Sequence, residues 1–174
     1  MPTQDDDRPN ADRDHSLKVS RAAAGERAER EREAHDFAIA AARSLSDDKC
    51  EDVLLLDLRG RSQVTDFYII ASGTSERQMR GAAHGVSEVG GETGFDLLSH
   101  NMRERDATWI VLDFVDVVVH LFHPEQRMHY DLEMLWGDAK RLDWRRPDDK
   151  DEPTPDDQRN RAGLREDDVL PDRP

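Results

Sequence analysis

At 174 residues, of which 36% are hydrophobic, the chain has room for one domain with a modest core. Charged residues make up 37% and the formal net charge is -14, which sets it against phosphate backbones and anionic membranes and in favour of basic protein surfaces. Cys50 is the single cysteine, which excludes an intrachain disulfide and a thiolate zinc cluster.

The first residues, Met1-Pro2-Thr3-Gln4-Asp5-Asp6-Asp7, lack the apolar run of a secretory signal. No stretch is apolar enough to span a bilayer, so a cytoplasmic protein that avoids membranes is expected. Residues 1–21 are polar without an apolar period and are expected to be disordered. A helix is predicted over 22–46. Its first half is charged all round, leaving Phe37, Ile39, Ala41, Ala42 and Leu45 to dock on a core.

An α/β domain is expected over 47–144. The apolar run at 52–57 reads as a strand, Arg59-Gly60-Arg61-Ser62 as a connection, and 66–72 as a second strand. Ser75 sits three residues before Gln78 and should cap a helix over 75–89, which Gly90, Gly91 and Gly94 end. After the polar loop 101–106, the runs 109–113 and 116–122 form a hairpin. Period two places Asp116, Val118, His120 and Phe122 on one face, and Val117, Val119 and Leu121 on the other. Pro124 opens a last helix that Gly137 closes, with Met128, Leu132, Leu135 and Trp136 as one apolar stripe. The tail 145–174, with five prolines among Asp and Arg, is expected to be disordered. The fold class is α/β, a small mixed sheet of about four to five strands with helices packed on it.

Several residues could carry chemistry. Ser72-Gly73-Thr74-Ser75 occupies a strand-to-helix corner where a phosphate could sit, but the lysine and glycine array of a P-loop are missing, which favours a plain turn. Asp113 and Asp116, with Asp57, could hold a divalent cation, yet carboxylates beside a short turn are ordinarily there to meet water. His120, His123 and His129 have neither a cysteine nor a His-Glu-x-x-His arrangement to support zinc, and His123 reads as a helix cap. Arg77 and Arg80 either grip an anion or form a solvated face. Trp109 is either core or an exposed aromatic anchor. No nucleophile, base and orienter come together. A binding protein is expected, with no catalytic residue, no metal and no cofactor.

The runs Asp52-Val53-Leu54-Leu55-Leu56-Asp57 and Thr65-Asp66-Phe67-Tyr68-Ile69-Ile70-Ala71-Ser72-Gly73-Thr74-Ser75-Glu76-Arg77-Gln78 resemble the ribosomal silencing factor family, RsfS or iojap. So do the two hairpin strands and Tyr130-Asp131-Leu132-Glu133-Met134-Leu135-Trp136-Gly137-Asp138, in family order over about 37–144. The resemblance implies a nucleotidyltransferase-like topology without its catalytic motif. It implies binding to the large ribosomal subunit through ribosomal protein L-fourteen, with little direct RNA binding. The bound protein would block the small subunit and repress translation during starvation.

On that basis Trp109 is expected as the partner-binding anchor. Asp113, Asp116 and Asp66 should face basic side chains, His120 should flank them, and Arg77 should stand on the neighbouring helix. Off the ribosome, an exposed sheet edge could pair two copies into a homodimer. Two departures from the family pattern stand out: Val115 where a glycine is usual, and His100-Asn101-Met102-Arg103 in place of a Glu-Gly pair. A divergent nucleotidyltransferase and an adaptor for another basic protein are the alternatives.

Overall fold

A computed structural model describes residues 11–102 and 106–149, with side chains from Arg21 onward. The disorder expected for residues 1–10 and 150–174 lies outside the described residues. In chain order the elements are α1 (Ala11–Asp47), β1 (Glu51–Asp57), β2 (Phe67–Ser72), α2 (Glu76–Thr93), β3 (Ser99–His100), β4 (Trp109–Asp113), β5 (Val117–Phe122), α3 (Pro124–Tyr130), α4 (Leu132–Leu135) and β6 (Lys140–Arg141), followed by one 3-10 turn at Pro147–Asp149.

The strands form one sheet in the order β3-β4-β5-β2-β1-β6. β2 and β5 run parallel and the other pairs antiparallel, so the sheet is mixed as expected. It has six strands rather than four or five. The additional strands, β3 and β6, are two residues each, too short to leave an alternating pattern in the sequence.

Alternation along each strand divides the sheet into two unequal faces. One carries Leu55, Phe67, Ile69, Ile110, Leu112, Val117, Val119 and Leu121 and is covered by α1 and α2. The helices approach closely because their inner faces are small, with Ala34, Ala38, Ala41 and Ala42 meeting Ala82 and Ala83. Gln78 fastens them. Its Nε2 donates to the carbonyls of Asp48 (3.0 Å) and Lys49 (2.7 Å) at the end of α1.

Three boundaries differ from expectation. α1 is already helical at Ala11, well before the residue-22 boundary, while residues 21–30 are exposed. The folded part also continues past 144. Arg43 donates to the carbonyls of Trp144 and Arg145, and Arg146 pairs with Asp47 at 2.8 Å. These are charged contacts made by residues that composition alone assigns to a tail.

The third difference is in the last helix, which breaks in two. Asp131 adopts a left-handed conformation (φ 41°) between α3 and α4, and the single stripe fails there. Leu132 and Trp136 pack on the second face of the sheet, whereas Met128 and Leu135 stay 80% and 69% exposed.

Both open edges of the central strands are occupied. The outer edge of β4 is closed by Leu98 N–H on Asp113 O, by β3, and by the Asn101 amide, which donates to Trp109 O (2.9 Å) and accepts from Val111 N–H (2.8 Å). β1 is closed by β6, by Leu142 N–H on Leu55 O, and by the Trp144 indole on Val53 O. The outermost strands of the sheet are therefore β3 and β6, of two residues each.

The β4–β5 turn carries a cost. Val115 has φ +73°, where a β-branched residue is strained. Asp113 Oδ1 holds its N–H at 2.8 Å, and Asp116 N–H closes back onto Phe114 O. Val115→Gly should raise stability by about 1 kcal/mol, relief of strain outweighing the added freedom of the unfolded chain. A urea midpoint unchanged or lowered by the substitution would refute this.

Candidate partner-binding face

The second face of the sheet is where the aromatic residues gather. Trp109 opens β4 opposite Phe122 of β5 and stacks on its ring at 4.8 Å. Tyr130, from the end of α3, lies over Trp109 at 4.7 Å. Tyr68 of β2 meets His120 edge-on at 4.8 Å and Trp136 at 5.9 Å. α3 and α4 bury none of their own residues, so they only partly cover this face.

They are held in place by Arg127, whose Nε pairs with Glu133 (2.6 Å) and whose Nη1 donates to Ser72 Oγ (2.9 Å). That contact also settles the strand-to-helix corner. Gly73 N–H donates to Phe122 O, Thr74 N–H to Gln78 Oε1, and Gln78 N–H to Ser75 Oγ. Three of the N–H groups at this corner are thus already bonded within the chain, which fits a plain capped turn. The Gln78 side chain accepts from Thr74 and not from the cap residue itself.

His120 is 7% exposed. The Trp109 indole N–H donates to its Nδ1 at 3.3 Å, so the ring is neutral with its proton on Nε2. Burial pushes its pKa down to about 4. Nε2 and the indole nitrogen of Trp136 find no hydrogen-bond partner among the described residues.

Because the folded pKa lies below the unfolded value, the unfolded chain binds more protons between about pH 4 and 6.5. The contribution of His120 is complete above pH 6.5 and is lost as pH falls toward 4, about 3 kcal/mol at most. His120→Gln should flatten this part of the stability–pH curve. Identical curves for the two proteins in urea unfolding would refute the assignment.

The six partner residues expected from the sequence do not form one cluster. Trp109 and His120 are together. Asp113 shares their face but lies at the far end of β4, opposite Val118, roughly 14 Å from Trp109. Asp116 does not continue the His120 face. It precedes β5 in the strained turn, where strand alternation does not apply, and it pairs with Arg30 of α1 at 2.7 Å. Asp66 is beside it, with both Asp66 N–H and Phe67 N–H on Asp116 O. Burial first, then the charges of Asp116 and Glu31, push the Asp66 carboxyl upward.

These two aspartates line a cleft of about 430 Å³ with Arg27, Arg30 and Arg59. The three carboxylates considered for a cation are likewise apart: β5 and β2 separate the strands of Asp113 and Asp57, and Asp57 is held by Arg59 at 2.6 Å. Arg77 is exposed on α2, in the helical layer across the sheet from Trp109. His123 begins α3 without a side-chain cap bond.

Sequence reasoning missed the exposed apolar side chains on the two short helices that partly cover this face. Met128 and Met134 are each 80% exposed, Leu135 69% and Tyr130 49%. Their signal was present in outline: Tyr130 and Met134 are apolar but lie off the stripe a single helix would present. Glu125 and Asp131 are also exposed on this segment, while Asp138 pairs with Arg61 at 3.2 Å.

A family model described as ribosomal silencing factor during starvation matches residues 31–168. The chain is 40% identical over 99 residues to ribosomal silencing factor RsfS of Halalkalibacterium halodurans, covering 57% of this chain and 84% of that protein. It is 38% identical over 103 residues to RsfS of Bacillus subtilis, covering 59% and 86%. Among solved structures, a Chromobacterium violaceum protein superposes with a TM-score of 0.56 at 32% identity, over 59% of this chain and 85% of that one.

Proposed function

The chain belongs to the ribosomal silencing factor family, and from that premise we propose that it binds the large ribosomal subunit through ribosomal protein L-fourteen, blocking the small subunit and repressing translation under starvation. The observation that carries this reading is the half-covered aromatic face. Trp109 stacks on Phe122 and meets Tyr130, and the short helices that partly cover it leave Met128, Met134 and Leu135 exposed together with Glu125 and Asp131. Apolar anchors on an acidic chain suit a basic protein surface.

The net charge of -14 disfavours the surrounding RNA, so that specificity comes partly from the penalty on wrong contacts. The reading is of a binding protein acting in the cytoplasm, with a nucleotidyltransferase-like topology and no catalytic role. No helix among the described residues is long and apolar enough to cross a membrane.

A sucrose gradient of mixed ribosomal subunits tests the mechanism. The joined-ribosome peak should shrink when the protein is added, and the protein should travel with the large subunit. An undiminished peak with the protein remaining at the top of the gradient would overturn it.

A further inference from the structure

We infer that Asn101 is the positioning residue of the docking anchor, its side-chain amide standing in for a neighbouring strand and fixing the backbone of β4 at Trp109; this rests on the reading that the Trp109 face docks. β3 ends at His100, after pairing Ser99 with Asp113 and His100 with Leu112. The ladder stops short of Trp109, so the outward backbone groups at the start of β4 have no strand beside them. The Asn101 amide serves them instead. Its Nδ2 donates to Trp109 O at 2.9 Å, and its Oδ1 accepts from Val111 N–H at 2.8 Å. Asparagine suits this place because its amide carries the donor and acceptor of a peptide unit on a short stem.

The residues around Asn101 hold that amide in place. Met102 N–H donates to His100 Nδ1 at 3.2 Å, which turns the chain directly after the asparagine. Met102 and Ala107, each 7% exposed, anchor the loop in the core on the helical side of the sheet. Asn101 itself stays half-buried against β4. His100, Asn101 and Met102, which stand where the family resemblance leads one to expect a Glu-Gly pair, thus act as one unit.

The consequence is a choice of docking mode. Trp109, Val111 and Asp113 are the half-buried residues of β4, alternating with Ile110 and Leu112 of the core. Leu98, β3 and Asn101 occupy the outer edge of that strand. A partner therefore meets a row of side chains and not an open line of backbone groups to which it could add a strand. On the inner side Trp109 is paired with Phe122, and Thr108 O accepts from His123 N–H at 2.8 Å. Without the Asn101 amide, Trp109 O and Val111 N–H turn to water and the start of β4 frays from its outer side. The indole is then presented over a spread of orientations that docking must narrow.

Two measurements on the full-length protein test this, each at concentrations where urea curves show the variant folded. The chain has three tryptophans. In fluorotryptophan-labelled protein the fluorine signal of Trp109, identified by its loss in Trp109→Phe, should shift or broaden in Asn101→Ala, while those of Trp136 and Trp144 stay in place. In co-sedimentation with purified large subunits, Asn101→Ala should weaken binding about ten-fold, the scale of two lost hydrogen bonds. It should cost nothing further in a Trp109→Ala background. Asn101→Asp keeps the shape but turns an oxygen toward Trp109 O, and should lose at least as much. The inference is overturned if the Trp109 signal is unmoved, if either Asn101 variant binds as the wild type does, or if the loss adds in full to that of Trp109→Ala. Failure of the wild type to sediment with large subunits overturns the docking reading itself, and the fluorine signal still decides whether Asn101 holds Trp109.

Discussion

Phe37→Ala is expected to remove about 3–5 kcal/mol of folding stability, the range for emptying a large aromatic site in a packed core. Phe37 is fully buried on α1 and joins three parts of the chain. It stacks on Phe95, just past α2, at 4.8 Å with the rings nearly parallel, and meets Phe114 of the β4–β5 turn edge-on at 4.9 Å. The site cannot easily collapse around the void, because the neighbouring backbone is already in close approach. A Cβ on Gly90 would stand 2.5 Å from Phe95 O and 2.8 Å from the Phe114 ring, and Phe95 N–H is tied to Gly90 O. Urea unfolding measures the effect. Phe37→Leu should recover more than half of the loss, since most of the volume returns. A loss below about 1 kcal/mol for the alanine variant would mean that α1 is not anchored through this ring.

Trp109→Ala should weaken binding to the large subunit by roughly 2–4 kcal/mol, the cost of truncating an aromatic hot spot. The reason lies in how the indole is presented. Phe122 supports one side, Tyr130 lies over it, and its N–H is fixed on His120, so little side-chain freedom is left to lose on docking. Trp109→Phe keeps the stacking surface but drops the hydrogen bond, and should retain most of the affinity. Asp66→Asn and Asp116→Asn should change binding little, because these residues sit in the Arg30 cleft away from the aromatic face. Co-sedimentation with purified large subunits, at protein concentrations where each variant is folded, distinguishes the outcomes. Equal retention of wild type and Trp109→Ala would remove Trp109 from the interface. A large loss with Asp116→Asn alone would move the interface to the cleft.

Much of the architecture was legible because it follows from local rules. The strand runs at β1, β2, β4 and β5 are continuous apolar or alternating segments, and each formed close to its expected limits. The Ser75 cap on α2 and the Gly94 stop, with φ 81°, are contacts within a few residues of chain. The division of β5 into Val117, Val119 and Leu121 against His120 and Phe122 follows from pleating alone. The family resemblance likewise rests on ordered local blocks, and the matching family model over 31–168 bears it out.

The site was less legible, for reasons that are physical rather than statistical. Period two says which face a strand residue takes, but it says nothing about a residue in a turn. Asp116, one residue before β5 and next to a positive-φ valine, swung to Arg30. Period 3.6 made one stripe of Met128, Leu132, Leu135 and Trp136 only if the helix was unbroken. A single left-handed residue, Asp131, sent half of them to solvent.

The sequence by itself determined the elements, the mixed α/β class, the acidic character and the family, since each depends on neighbours along the chain or on summed charge. Only the tertiary structure decided which face of the sheet is left partly bare, which aspartates are already paired, and that Asn101 closes the β4 edge. Those outcomes depend on groups far apart in sequence, such as Arg30 with Asp116 or Arg127 with Ser72. Such contacts form only once the packed core has fixed the distances between elements, and no local pattern of residues encodes them.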